Sequence, residues 1–224
     1  MFYLRGLKES LRMKKISRIL LVIGCLFMLC SCQYSKEERN ILKEYEELSS
    51  ADYVEKYDYL SDTNNVFKSI AYKDLMNKLK DDTFVLYVGG AWCPNCQAVV
   101  KFVNDAAKNN NIDTVYNFDT RISSLKTKEN DIRNCNNDAQ LNLYRKFIES
   151  LNYINPNGLT TEGTDVQRLA VPAIFVIKNG VVKGSLIREY FYDEEQDLLY
   201  VYGDTQNHKE EYIEELNSLF SLLK

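Results

Sequence analysis

Two cysteines three residues apart carry the clearest chemistry in the sequence. Cys93 and Cys96 follow the apolar, strand-length run Phe84–Val88 and a Gly-Gly break, and Cys96 opens a segment with the apolar spacing of a helix. Cys93 is therefore expected near a helix N-terminus, where free amide groups and the helix dipole favour a thiolate. Pro94 suits the first helical turn because it has no N–H to leave unpaired. We predict that Cys93 has the lower pKa of the two and reacts first with alkylating agents.

A cysteine pair of this kind supports three kinds of chemistry. The thiolate of one cysteine can attack a disulfide, and the other can resolve the mixed disulfide that forms. A zinc site would need a second pair of ligands, but Cys135 and His208, the single histidine, stand alone in the sequence. A purely structural disulfide is the third reading. We favour the redox-active pair and expect no bound metal.

The N-terminal residues have the pattern of an export signal. The apolar run Ile19–Cys30 follows a basic segment and is too short for a bilayer core, which needs about 20 residues. The run closes with Leu29–Cys32, which resembles the signal of bacterial lipoproteins. That resemblance implies a signal peptide over residues 1–31 and lipid attachment at Cys32. It places the protein on the outer face of the cytoplasmic membrane, where disulfides persist. Residues 22–25 fit the same pattern loosely, and an uncleaved anchor or a buried helix is the alternative.

Charge and composition exclude several other classes of protein. The chain is 45% hydrophobic and 27% charged, which is ordinary for a globular protein. Six of its 28 Lys and Arg residues, but only one of its 32 Asp and Glu residues, lie within residues 1–31, so the rest of the chain is acidic. An acidic surface repels phosphate backbones, and we expect no nucleic-acid partner.

After residue 65, strand-type and helix-type segments alternate, which predicts an α/β domain over residues 66–224 with helices on both faces of one sheet. The predicted strands are residues 66–70, 84–88, 114–118, 173–177 and 181–187. The predicted helices are residues 72–79, 96–107, 141–151 and 210–223. Residues 32–65 are predicted to be a tether or N-terminal helical extension, with a short helix within residues 33–50.

Two separated segments resemble the thioredoxin superfamily. Phe84–Cys96 is similar to the active-site strand and helix start of that family, and Val171–Gly180 is similar to its cis-proline segment, which leads through a buried strand to a hairpin. The resemblance covers about residues 66–224. It implies a thioredoxin-like fold with a central mixed sheet, helices on both faces, and a helical insert at about residues 119–168, before the cis-proline strand.

The resemblance also implies roles for individual residues. Cys93 would be the attacking thiol and Cys96 the resolving one. Pro172 would be cis and opposite the cysteines, and the backbone of Val171 would pair with an extended substrate segment. The residues supporting the active site would be Trp92, Pro94 and Asn95. No cofactor is implied.

The sequence departs from the family pattern in two places. Thioredoxins carry a buried Asp six residues before the first cysteine, which assists proton transfer at the resolving thiol, whereas this chain has Tyr87. Water or another group would have to do that work. The insert at 119–168 is also longer than a minimal thioredoxin has, and could cover the site or bind a partner.

The sequence therefore predicts a membrane-anchored thiol–disulfide oxidoreductase that acts on exported proteins, with reductase, oxidase and isomerase activity all open. Its partners would be exported protein thiols and disulfides, with a membrane electron donor or acceptor as a further candidate. The alternatives are an accessory protein for peptide or bacteriocin secretion, and a redox-inert domain in which the two cysteines of the CxxC form a purely structural disulfide. Cys135, flanked by asparagines, is expected in a surface loop of the insert, either as a bystander or as a relay for the active-site disulfide.

Overall fold

The computed structural model describes residues 34–44, 48–122, 126–201 and 204–224. The chain divides into two compact units, residues 1–39 and 40–224. The predicted signal peptide and Cys32 lie outside the described residues. Among the helices that are described, none combines the length and apolar character needed to cross a bilayer.

The second unit is built on a mixed five-stranded sheet in the order β1-β3-β2-β4-β5. Strands β1, β2 and β3 run parallel, and β4 is antiparallel to both β2 and β5. A separate hairpin pairs β6 with β7. The strands are β1 Phe67–Ser69, β2 Phe84–Val88, β3 Val115–Phe118, β4 Ala173–Lys178, β5 Val181–Ile187, β6 Tyr190–Asp193 and β7 Leu198–Val201. The helices are α1 Lys36–Ile41, α2 Ser50–Lys56, α3 Tyr72–Lys78, α4 Pro94–Asn109, α5 Asp138–Ser150 and α6 Lys209–Ser221.

Helices cover both faces of the sheet. On one face, Tyr87 of β2 donates a hydrogen bond to the Cys96 carbonyl of α4, and α4 packs against α6. On the other face, the ring of Phe118 in β3 lies 5.1 Å from Phe147 of α5 and 6.1 Å from Tyr72 of α3. Every residue of β2 is buried, because this strand is covered on both sides. The predicted α/β class, a thioredoxin-like arrangement with a central mixed sheet, is confirmed.

The described part of the N-terminal extension contains α1 and α2, and α2 belongs to the folded unit. Ser49 and Asp52 form a reciprocal capping box that starts α2. Tyr53 of this helix is fully buried, and its ring stacks 5.5 Å from Phe67 of β1. Residues 48–65 therefore cover one face of the sheet rather than acting only as a tether.

The β6–β7 hairpin was not predicted from the sequence. Tyr190 and Tyr192 point into the core while Phe191 is exposed, so the alternation of a half-buried strand is present. The turn between the strands, residues 194–197, contains no glycine or proline to mark it. Asp197 adopts a left-handed conformation there, with φ of 54°.

The insert at residues 119–168 supplies part of the core. Its helix α5 begins at the Asn137 cap, whose side chain accepts a hydrogen bond from the Gln140 amide. Before it lie two 3₁₀ turns, Lys128–Asn130 and Ile132–Asn134. Phe147 and Leu143 are fully buried, so this helix is an integral layer of the fold.

Candidate active site

Cys93 and Cys96 lie where β2 passes into α4. Cys93 is the N-cap residue of α4, and its carbonyl accepts hydrogen bonds from the amides of Cys96 and Gln97, each at 3.0 Å. Pro94 occupies the first helical position, as predicted, and is exposed, while Asn95 is half-buried. Cys93 retains 7% of its surface exposed and Cys96 none, so only Cys93 can meet a disulfide from outside.

The two thiols differ in acidity for identifiable reasons. The pKa of Cys93 is lowered to about 7 by a hydrogen bond from the Cys96 thiol, by the amides of Cys96 and Asn95, and by the charge of Arg133, which together outweigh its burial. The pKa of Cys96 is raised well above its ordinary value, chiefly by burial and also by its hydrogen bond with Cys93. This is the order that the sequence predicts.

The predicted cis-proline segment lies against Cys93. The peptide bond between Val171 and Pro172 is cis. The Val171 carbonyl lies 3.8 Å from Cys93 Sγ. Directly afterwards Ala173 begins β4 and pairs with Val88 at the end of β2, which holds the segment beside the cysteines. The structure thus brings together two motifs that lie about 80 residues apart in the chain.

Trp92 is held by three side chains that sequence reasoning did not select. Its indole Nε1–H donates a hydrogen bond to Asp119 Oδ1 at 2.9 Å. The guanidinium of Arg121 lies 3.8 Å from the ring centroid, and that of Arg133 lies 5.3 Å from it. Asp119 directly follows β3, whose carboxyl end meets that of β2 at the same sheet edge. This position at the carboxyl end of a predicted strand is the feature of the sequence that could have pointed to Asp119 as a site residue.

One of these two arginines, Arg133, is held by a buried ion pair with Asp131. Arg133 Nη2 lies 2.7 Å from Asp131 Oδ2, and Nε donates to Oδ1 at 3.0 Å. The side chains are only 11% and 4% exposed. This two-point ion pair fixes the Arg133 guanidinium, and its positive charge contributes to the lowered pKa of Cys93.

Gly89 and Gly90 allow the close approach of the surrounding groups. A Cβ on Gly89 would lie 2.5 Å from Cys96 Sγ, and one on Gly90 would lie 2.3 Å from Trp92 Nε1 and 2.7 Å from the Asp119 carboxyl. Gly89 also has φ of +151°, which residues with a side chain rarely adopt. The two glycines therefore leave room for Cys96, Trp92 and Asp119, in addition to ending the strand.

Tyr87 takes the position at which thioredoxins carry a buried Asp. It is fully buried, and its hydroxyl donates to the Cys96 carbonyl at 3.1 Å. Burial raises its pKa well above the ordinary value, so it stays neutral and cannot act as a base near neutral pH. It anchors the first turn of α4 instead.

Cys135 lies in the insert in a left-handed conformation, with φ of 52°. It is half-buried rather than fully on the surface. Its thiol lies 3.6 Å from the Ile132 carbonyl, and burial is the main reason why its pKa is raised. The Cys135 thiol donates to the carbonyls of Ile132 and Arg133, both of which belong to the insert.

The described residues contain no group of three or more His, Cys, Asp or Glu side chains placed to hold a metal ion. What the arrangement can do is thiol chemistry: one acidic, accessible thiol lies directly above a second, buried thiol that can close onto it.

Comparison with known proteins adds little to this description. No protein-family model matches the chain, and no curated protein matches it. Among solved structures, the chain is similar to the crystal structure of thioredoxin O2 from Arabidopsis thaliana in the oxidized state. The two are 17% identical, and the match covers 55% of this chain and 83% of that one with a TM-score of 0.31. A likeness at this level carries no argument about activity, and the thioredoxin-like fold follows from the strand order and helix packing described above.

Proposed function

We propose that this protein is an extracytoplasmic, membrane-anchored thiol–disulfide oxidoreductase that exchanges disulfides with exported proteins through Cys93 and Cys96. The observation that carries the proposal is the asymmetry of the pair. Cys93, with a pKa of about 7, is the accessible thiol at a helix N-terminus, and Cys96 is buried directly behind it. A structural disulfide has no need of such an asymmetry.

The exchange proceeds through a mixed disulfide. The Cys93 thiolate attacks a substrate disulfide, forming a bond to one substrate sulfur while the other leaves as a thiolate. Cys96 then attacks Cys93, so that the Cys93–Cys96 disulfide forms and the second substrate sulfur leaves with the bonding electron pair. The substrate gains two electrons and the protein loses two. Substrate oxidation is the same sequence in reverse.

The backbone at Val171 supports a polypeptide as substrate. Its carbonyl lies beside Cys93 Sγ, so an extended chain that presents a disulfide to Cys93 must also pass this segment. Trp92, which directly precedes Cys93 in the chain, is held by Asp119 and two arginines. The position of the Val171 backbone favours a substrate that is recognised by its main chain.

Anchoring at Cys32 is supported by the sequence alone. The basic segment, the short apolar run and Leu29–Cys32 together indicate export and lipid attachment. A diacylglyceryl group suffices for stable anchoring, because two acyl chains hold a protein on a bilayer where one does not. Cys32→Ala should release the protein from membranes or leave an unprocessed precursor. A processed, membrane-bound Cys32→Ala protein would contradict the anchor.

The test of the activity is catalysed exchange on a protein disulfide. We expect the protein to accelerate the reduction of insulin by a thiol reductant, or the refolding of a protein with scrambled disulfides. Cys93→Ser should abolish that acceleration, whereas Cys135→Ser, the matched loss of a thiol outside the site, should retain it. Equal activity of Cys93→Ser and wild type would refute the proposal.

A further inference from the structure

Leu169, two residues before Val171, has both of its backbone polar groups held by side chains of the insert. Its amide donates a hydrogen bond to the Tyr144 hydroxyl at 2.8 Å, and its carbonyl accepts one from Arg133 Nη1 at 3.3 Å. Leu169 is fully buried. Because a buried backbone group without a partner is costly, these two side chains fix the position of the peptide that leads towards the active site.

The neighbouring peptides are tied to α5 and to the loop that follows it. The Tyr144 hydroxyl also donates to the Gln167 carbonyl at 3.1 Å. Asn155, which lies after the end of α5, donates from Nδ2 to the Arg168 carbonyl at 2.7 Å. Burial raises the pKa of Tyr144 to about 12, so its hydroxyl keeps the proton that it donates. Each of residues 167–169 is therefore bonded through its backbone to a side chain of the insert.

Arg133 joins this segment to the tryptophan of the active site. Its guanidinium is held by the two-point ion pair with Asp131, at 2.7 and 3.0 Å, and its side chain is only 11% exposed. The same guanidinium donates to the Leu169 carbonyl and lies 5.3 Å from the centroid of the Trp92 ring. A planar group held at two points has little freedom to turn. Arg133 therefore connects the indole beside the reacting cysteine to the peptide that precedes the cis bond.

The segment that the insert holds ends against Cys93. Val171 lies two residues after Leu169, and its carbonyl lies 3.8 Å from Cys93 Sγ. Beyond Val171 the chain runs directly into β4, where Ala173 pairs with Val88 of β2. Each residue has only two soft backbone torsions, so few torsions separate these two fixed points. A displacement of the Leu169 peptide must therefore move the Val171 backbone.

We propose that Arg133 and Tyr144 are positioning residues that set the Val171 backbone against Cys93, and that the insert thereby favours disulfides carried on a polypeptide main chain. A substrate chain that pairs with the Val171 backbone is aligned with the Cys93 sulfur by this contact. A disulfide without a main chain can reach the same sulfur but gains nothing from the alignment. Neither side chain takes part in bond making or breaking, so the exchange itself is unchanged. This inference rests on the proposed function.

The experiment compares two disulfides, of which one carries a main chain and the other does not. The full chain, purified in detergent, turns over insulin or bis(2-hydroxyethyl) disulfide with a thiol reductant, and kcat and KM are measured after subtraction of the uncatalysed rate. The quantity compared is the kcat/KM for insulin divided by the kcat/KM for the small disulfide. A wild-type chain should prefer insulin.

Two variants should weaken that preference. Tyr144→Phe removes the hydroxyl that holds two backbone groups, and Arg133→Lys keeps the positive charge but cannot form the two-point pair. We expect each to lower the ratio at least about fivefold, since a misplacement of about 1 Å can cost about 10²-fold. The loss should lie mainly in the KM for insulin, because the main-chain contact is made before the exchange step as well as during it.

Hydrogen exchange read by mass spectrometry tests the contacts themselves. Tyr144→Phe takes away the acceptor of the Leu169 amide, so the peptide covering residues 167–171 should exchange faster than in the wild type. The strand Phe84–Val88 should keep its protection, which shows that the variant is folded. Unchanged exchange over residues 167–171 would contradict the proposed hold on this segment.

Two matched control variants remove similar groups elsewhere. Arg145, next to Tyr144 on α5, forms its own two-point ion pair with Asp165, at 2.7 and 3.1 Å. Arg145→Lys loses that geometry without touching residues 167–169. Tyr212→Phe removes a buried hydroxyl of α6 that has no hydrogen-bond partner among the described residues. Both should keep the wild-type ratio for the two disulfides.

The outcomes separate the two proposals. A wild-type ratio in Tyr144→Phe or in Arg133→Lys would overturn the positioning role, and so would an equal loss with both disulfides, which is what a general packing defect gives. A wild-type chain without a preference for insulin would overturn it as well. A wild-type chain that turns over neither disulfide would overturn the proposed function instead.

Discussion

The acidity of Cys93 depends most on the thiol of Cys96, and removing that thiol should reverse much of it. In the wild-type protein the pKa of Cys93 is about 7, against 9.0 for an unperturbed thiol, and the hydrogen bond from Cys96 is the largest cause. At pH 7 about half of Cys93 is then thiolate, compared with about 1% for the unperturbed group, since each pKa unit changes the ratio tenfold. Cys96→Ala keeps the amide hydrogen bonds and Arg133, so the pKa should rise by part of this difference.

The assay is the rate of alkylation by iodoacetamide as a function of pH, read at Cys93 by peptide mapping. We expect a midpoint near pH 7 for wild type and a clearly higher one for Cys96→Ala. Cys96→Ser is the matched control, because its hydroxyl can still donate to the Cys93 sulfur and should keep the midpoint close to that of wild type. Cys135→Ala, which changes a thiol outside the site, should leave it unchanged.

Three results would refute this reasoning. If wild-type Cys93 titrates near 9, the helix N-terminus and the second thiol do not stabilise its thiolate. If Cys96 is alkylated before Cys93 at neutral pH, the assignment of attacking and resolving thiols is reversed. An equal midpoint for Cys96→Ala and Cys96→Ser would show that the hydrogen bond between the thiols is not the main cause.

Three further predictions follow from the same geometry. Cys135→Ser should leave turnover unchanged, and disulfide mapping of the oxidised protein should find this thiol free, because its pKa is raised and its thiol contacts lie within the insert; slowed turnover would instead support a relay. Asp131→Asn should lower the free energy of unfolding by about 3 kcal/mol in denaturant titrations, since it removes the negative charge that compensates the buried Arg133 guanidinium; a loss below about 1 kcal/mol would count against a tightly coupled pair. Gly90→Ala should displace the indole of Trp92, the single tryptophan, and cost about 1–3 kcal/mol; unaltered tryptophan fluorescence would show that the site absorbs the methyl group without moving.

The parts of the fold that sequence reasoning predicted are those with strong local patterns. Phe84–Val88 is a continuous apolar run ended by two glycines, and the strand occupies those residues. Val181–Ile187 likewise follows an Asn-Gly turn and has the predicted bounds. The helix that starts beside the cysteines was predictable because Pro94 marks its first turn and its apolar face repeats at helical spacing.

The parts that could not be predicted depend on contacts between distant residues. The role of α2 in covering the sheet is visible only once Tyr53 meets Phe67 of β1. The β6–β7 hairpin has an unmarked turn, and its buried tyrosines are recognisable only where Tyr192 packs on Phe102 of α4, at 5.4 Å.

The residues of the candidate site likewise fall into those that sequence reasoning selected and those that it missed. The CxxC pair was recognisable because two cysteines at this short spacing are distinctive, whereas the role of Pro172 was implied only by the resemblance of Val171–Gly180 to the thioredoxin superfamily. Asp119, Arg121 and Arg133 are ordinary charged residues in an irregular stretch, and only the fold brings them to Trp92.

The central claim, that Cys93 and Cys96 form a working redox couple, is tested most directly by a redox titration of this pair in glutathione buffers, followed by mass mapping. The account predicts one reversible two-electron transition between dithiol and disulfide within the range that glutathione can poise, with Cys93→Ser abolishing it. The midpoint also gives the direction of electron flow with exported substrates. A pair that stays oxidised at the reducing end, as structural disulfides with potentials below about −300 mV do, or that never forms a disulfide at the oxidising end, would contradict it.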